Sequence, residues 1–112
     1  VNYLKLKNIY NKERETKMTL KEYGDLTMQE IKKVLTQQQL NNIYLASSIK
    51  AIRDSREDDN EETITKLQYM KDIQKVMEKK EKYEICHHLQ VMIKILEGRI
   101  EEKRKNKEVN NK

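Results

Sequence analysis

Residues 64–100 read ITKLQYMKDIQKVMEKKEKYEICHHLQVMIKILEGRI. Ile64, Leu67, Met70, Ile73, Val76 and Met77 recur at spacings of three and four, which puts them on one face of a helix of about four turns. The stripe stops at Lys79, Lys80, Glu81 and Lys82. It resumes with Cys86, Leu89, Ile93, Leu96 and Ile100, again at alternating spacings of three and four, the pattern of a helix packed lengthwise against another. Two stripes split by a short charged turn predict an antiparallel coiled-coil hairpin over residues 63–79 and 82–104. Leu67, Met70, Ile73, Met77, Cys86, Leu89, Ile93 and Leu96 are then either the seam of the hairpin or a face that binds a partner.

Upstream, Asp54 to Glu62 (DSREDDNEE) holds no apolar residue, and its acids suit a solvated turn before the positive end of the next helix. Before that turn, Thr27 to Glu30 has the form of a capping box, with Gly24 and Asp25 as the turn preceding it. Ile31, Val34 and Leu35 mark one apolar face, and Leu40, Ile43, Tyr44, Ala46, Ile49 and Ile52 mark another beyond three glutamines. Thr36 to Gln39 is a second capping box. The stretch predicts either one helix over about 28–55 or a short helix and a longer one with a bend near Thr36. Residues 1–26 read as an arm. Residues 1–17 of it are either disordered or loosely docked, or lie upstream of a start at Met18, and 105–112 read as a frayed basic tail.

Composition agrees with an all-α chain, a small helical bundle over residues 27–104. The 112 residues include no Phe, Trp or Pro, so aromatic burial rests on six tyrosines, while Lys, Glu, Gln, Leu and Met favour helix over strand. Charged residues (38%) outnumber apolar ones (36%), so the core must be thin. The net charge of +5 is spread along the chain and so permits contact with nucleic acid without directing it. One cysteine excludes an internal disulfide framework and suits a reducing cytoplasm, and no apolar run reaches the length of a membrane span.

Tyr83, Glu84, Cys86, Leu89, Ile93 and Leu96 resemble the second half of the UVR motif of nucleotide-excision-repair proteins and of some Clp ATPase modulators. The resemblance covers about 30 residues. It implies a helical hairpin that docks on other proteins, with an aromatic residue and Glu opening the second helix and a small residue near the turn. Gln90 and Val91 depart from the Arg-Asp pair of that motif, and lysines replace the Leu-Asp before the aromatic position.

No pattern here builds an active site. Cys86, His87 and His88 are adjacent, so on a helix they point about 100° apart and do not converge on one ion. Glu84 and His88 share a face, yet no HExxH or second Cys completes a metal site. Asp54, Asp58, Asp59, Glu61 and Glu62 lack the glycine and spacing of a calcium loop. With only Gly24 and Gly98, no phosphate-cradling loop is available.

The expectation is therefore a protein-interaction module without cofactor, metal or enzyme activity. It binds a partner protein or pairs as a homodimer, in the manner of a small phage or mobile-element accessory protein that inhibits a host factor. Nucleic acid is the alternative partner. It would be met by Lys32, Lys33, Lys50, Arg53, Arg99, Lys103, Arg104 and Lys105, or by a helix-turn-helix over 28–52 presenting Gln38, Gln39, Asn41 and Asn42. Met70, Met77 and Met92 are the residues expected to line a docking groove if the core is completed only by a partner.

Overall fold

A computed structural model describes residues 19–110, with side chains described to residue 106. Four α-helices follow one another: α1 (Leu20–Lys32), α2 (Gln37–Asp54), α3 (Glu61–Lys79) and α4 (Tyr83–Asn110). Among the described residues there is no strand, as the composition requires. The reading of residues 1–17 lies outside the described residues.

Helix α1 begins seven residues before the predicted capping box. Its cap is Thr19, whose hydroxyl accepts from Glu22 N at 3.1 Å. Thr27 is not a cap: it is buried in mid-helix and its hydroxyl donates to Tyr23 O at 3.0 Å, one turn back. Gly24 and Asp25 likewise lie inside α1. Residues 20–26, predicted as part of an arm, therefore belong to α1.

The bend expected near Thr36 is a break. Thr36 and Gln39 form a reciprocal capping box, Gln39 N to Thr36 Oγ1 at 3.1 Å and Thr36 N to Gln39 Oε1 at 2.8 Å. Of the two readings, the short helix followed by a longer one is therefore the one found. Asn60 caps α3 by accepting from Glu62 N and Thr63 N. Glu61 and Glu62 in its first turn complement the helix dipole.

The acidic run before α3 is not wholly solvated. The Asp59 side chain is 2% exposed and receives Arg104 through Nε at 3.1 Å and Nη2 at 2.7 Å, while Arg56 N donates to it at 3.0 Å. The Arg104 hydrogen bond holds the Asp59 carboxyl below its usual range against the opposing effect of burial. This ion pair ties the α2–α3 loop to α4, and α4 stays helical to Asn110 instead of fraying at 105.

The α3–α4 turn closes with Lys82 N donating to Met77 O at 2.8 Å and Glu81 N to Glu78 O at 3.0 Å, the Schellman pattern. Glu81 adopts the left-handed conformation, φ 59°, that this motif usually assigns to glycine. Helices α3 and α4 form the predicted hairpin. Helix α2 packs on α3, and α1 packs chiefly on α4.

The core joins Tyr23, Ile31, Leu35 and Leu40 to the hairpin residues Leu67, Ile73, Met77, Cys86, Leu89 and Ile93. On α2 the inward residues are Leu40, Ser47 and Ala51, with Ile43 half-buried. The apolar stripe read from sequence is therefore divided, because Ala46, Ile49 and Ile52 face solvent. What turns α2 this way is polar. Ser47 Oγ lies 2.7 Å from Asp72 Oδ2, and Gln68 and Lys50 donate to the same carboxylate at 3.0 and 3.4 Å. Burial raises the Asp72 pKa, but the Ser47, Gln68 and Lys50 hydrogen bonds outweigh it and leave the group below its ordinary value.

Candidate functional site

The hairpin residues divide into two groups. Leu67, Ile73, Met77, Cys86, Leu89 and Ile93 are buried, whereas Met70 and Leu96 are only partly covered. Those two open onto a groove of about 480 Å³. Helix α1 forms one wall with Leu20, Gly24, Met28 and Ile31, α3 forms the other with Tyr69, Met70 and Ile73, and Leu89, Met92 and Leu96 of α4 make the floor. Leu89, Met92 and Leu96 are spaced three and four apart, so the floor is one face of α4 about 10 Å long. Three of its liners, Met28, Met70 and Met92, carry the flexible, polarisable thioether that adapts to varied apolar surfaces.

Helix α1 can form this wall because of two contacts that bring it onto α4. The Tyr23 hydroxyl is hydrogen-bonded to His88 Nδ1, and the two rings meet edge to face at 5.7 Å. Both residues are fully buried. One turn along α4, Gly24 lies close to Met92, whose Sδ would sit 3.7 Å from a Cβ at that position. Burial, with a smaller contribution from the neighbouring His87, lowers the His88 pKa to about 4, opposed by Glu84. The ring is neutral at neutral pH.

Sequence reasoning missed this contact, since it placed Tyr23 in an arm and weighed His88 only as a metal ligand. The one available signal was the spacing of Leu20, Tyr23, Thr27 and Ile31, which continues the apolar stripe of α1 backwards once Thr27 is allowed as an inward residue.

The basic residues suggested for nucleic acid are divided: Arg99, Lys103 and Arg104 line one hollow beside Asp58 and Asp59, and the others lie on different helices. Lys33 pairs with Glu30 at 3.0 Å, Lys50 with Asp72 at 3.4 Å and Arg104 with Asp59 at 2.7 Å. Lys32, Arg53, Lys103 and Lys105 are exposed on three different helices, and Arg99 stands at the rim of the groove. The amides of α2 stay at the surface, with Gln37 Nε2 donating to Asn41 Oδ1 at 2.9 Å.

Cys86 is not poised as a nucleophile. Cys86 is buried and its thiol donates to Gln74 O at 3.6 Å, and burial, followed by the Glu78 charge, pushes its pKa up, away from the nucleophilic thiolate. Among the described residues no three His, Cys, Asp or Glu side chains gather closely enough to hold a metal ion. Nor, among them, is any helix long and apolar enough to cross a membrane. Comparison of the chain with known protein families, characterised proteins and solved structures finds no match.

Proposed function

We propose that the protein is a non-enzymatic interaction module that holds an apolar segment of a partner protein in the groove between α1, α3 and α4. The observation that carries this reading is the groove itself, a trough of apolar and Met side chains left open in a chain with little apolar material to spare. Two helices wall it and one face of a third makes its floor, so a further helix would complete a bundle there. The likeness of the hairpin to the UVR motif adds to the reading, because hairpins of that family dock on other proteins.

The test is photocrosslinking in cells that produce the protein, with benzoylphenylalanine placed at Met70 in the groove and, as a control, at the exposed Lys94. The expected result is a protease-sensitive adduct of defined mass from position 70, absent from position 94 and lost when Met28→Lys obstructs the groove. Nuclease-sensitive adducts would instead favour nucleic acid as the partner. No adduct from position 70 would overturn the proposal.

A further inference from the structure

The groove is charged at one end only. Lys21, Lys66 and Arg99 all line it, one from each of its three helices. Two antiparallel arrangements bring them together. Helix α1 runs against α4, since Tyr23 meets His88 while Glu30 and Val34 share a surface hollow with Tyr83 and Ile85. Lys21 therefore sits toward Leu96 and Arg99. Helix α3 also runs against α4, as the Lys71–Glu97 pair at 3.3 Å shows, and this places Lys66 at the level of Arg99. Of the three cations, only Lys66 is in an ion pair among the described residues. Its partner is Glu62 at 3.3 Å, and both side chains are well exposed, so that pair yields readily to another acid.

Building on the reading of the groove as a docking site, we infer that its occupant is an amphipathic helix of a partner protein with acidic residues at one end. Its apolar side chains, recurring every three or four residues, fill the trough over Met28, Met70 and Met92. Its acids meet Lys21, Lys66 and Arg99 at the mouth. Two occupants are nearest to hand. Residues 1–18 carry five basic side chains against two acidic ones and would bring positive charge to a positive mouth. A second copy has an acidic cluster at Glu57 to Glu62, but there Asp59 is held by Arg104 and the apolar residues that follow, Leu67 and Ile73, are buried in its own core.

The experiment titrates the full chain into a fluorescein-labelled, sixteen-residue helical peptide followed by anisotropy. The peptide has Leu at every third or fourth position and three Glu at one end, and matched peptides carry Gln or Lys in place of the Glu. The Glu peptide should bind about tenfold more tightly than the Gln peptide, the factor expected of three exposed ion pairs. That preference should shrink at 0.5 M salt and vanish in the triple variant Lys21→Ala, Lys66→Ala, Arg99→Ala, whose circular dichroism should match that of the parent. Met28→Lys should weaken both peptides.

Equal binding of the Glu and Gln peptides, both sensitive to Met28→Lys, would overturn the acidic occupant while leaving the groove as a docking site. A preference that survives the triple variant, displacement by an unlabelled peptide of residues 1–18, or competition by laurate with no binding of any peptide would each overturn the inference as well. The photocrosslinking experiment stands independently of all these outcomes.

Discussion

At the scale of single residues, His88 is the position whose burial has the largest consequence for the response to pH between 7 and 4.5. Its imidazole is fully buried against Tyr23, and burial lowers its pKa to about 4 from an ordinary value of 6.5. Folding therefore favours the neutral ring, and protonation favours the unfolded chain. The stabilisation is fully present above pH 6.5 and is lost progressively as pH falls toward 4. A shift of this size corresponds to about 3 kcal/mol, a large share of the stability of a small domain. Asp59 and Asp72 also have lowered pKa values, but their ordinary value is 3.8, so their contributions fall away only in more acidic solution. The two causes therefore separate along the pH axis. Urea unfolding between pH 7 and pH 4.5 should show a steep decline for the parent and a much flatter profile for His88→Leu, whatever its absolute stability. Parallel profiles would show that the ring is not what senses pH in this range.

At the scale of elements, what could be read from sequence was decided by how apolar each buried face is. The hairpin was legible because its two stripes are almost purely apolar and interrupted only at Lys79 to Lys82. Helix α2 was misread in rotation. Its inward face includes Ser47 and Ala51, held by the Asp72 hydrogen bonds, while Leu45, Ile49 and Ile52 stay outside at about 60% exposure. Hydrophobic periodicity has no means of registering a face that binds through a carboxylate. Helix α1 was clipped for a related reason: a buried Thr followed by Glu three residues later imitates a capping box, and only the intrahelical bond from Thr27 to Tyr23 O distinguishes the two.

The α3–α4 turn was placed correctly, but its strain was not visible, because Glu81 occupies a position where sequence rules look for glycine. With φ at 59°, its Cβ is disfavoured by about 1 kcal/mol. Glu81→Gly should raise the melting temperature by roughly 4 °C. Glu81→Ala, which keeps the Cβ, should give no comparable gain. If Ala stabilises as much as Gly, the removed charge and not the backbone is responsible.

At the scale of the whole molecule, the helices are not equally anchored. The α2–α3 and α3–α4 interfaces are extensive, the Asp59–Arg104 pair closes the end of the bundle, and α1 is joined chiefly to α4. Local opening follows the density of buried contacts, so α1 should detach at lower free energy than the rest. Native-state hydrogen exchange should show α1 amides exchanging well before those of α3 and the first half of α4. Tyr23→Phe, which removes the hydrogen bond to His88, should speed exchange in α1 by about fivefold, the factor for one lost net hydrogen bond of about 1 kcal/mol, with a smaller effect relative to global unfolding elsewhere. Uniform exchange over all four helices would mean that α1 folds as one unit with the hairpin.

The consequence for binding is direct, because α1 is one wall of the groove. A helix seated between α1 and α3 adds contacts that only the docked α1 provides, so its binding must slow α1 exchange more than exchange in α2, which contributes no residue to the groove. A Glu-ended peptide that binds without protecting α1 would place its site somewhere other than this groove.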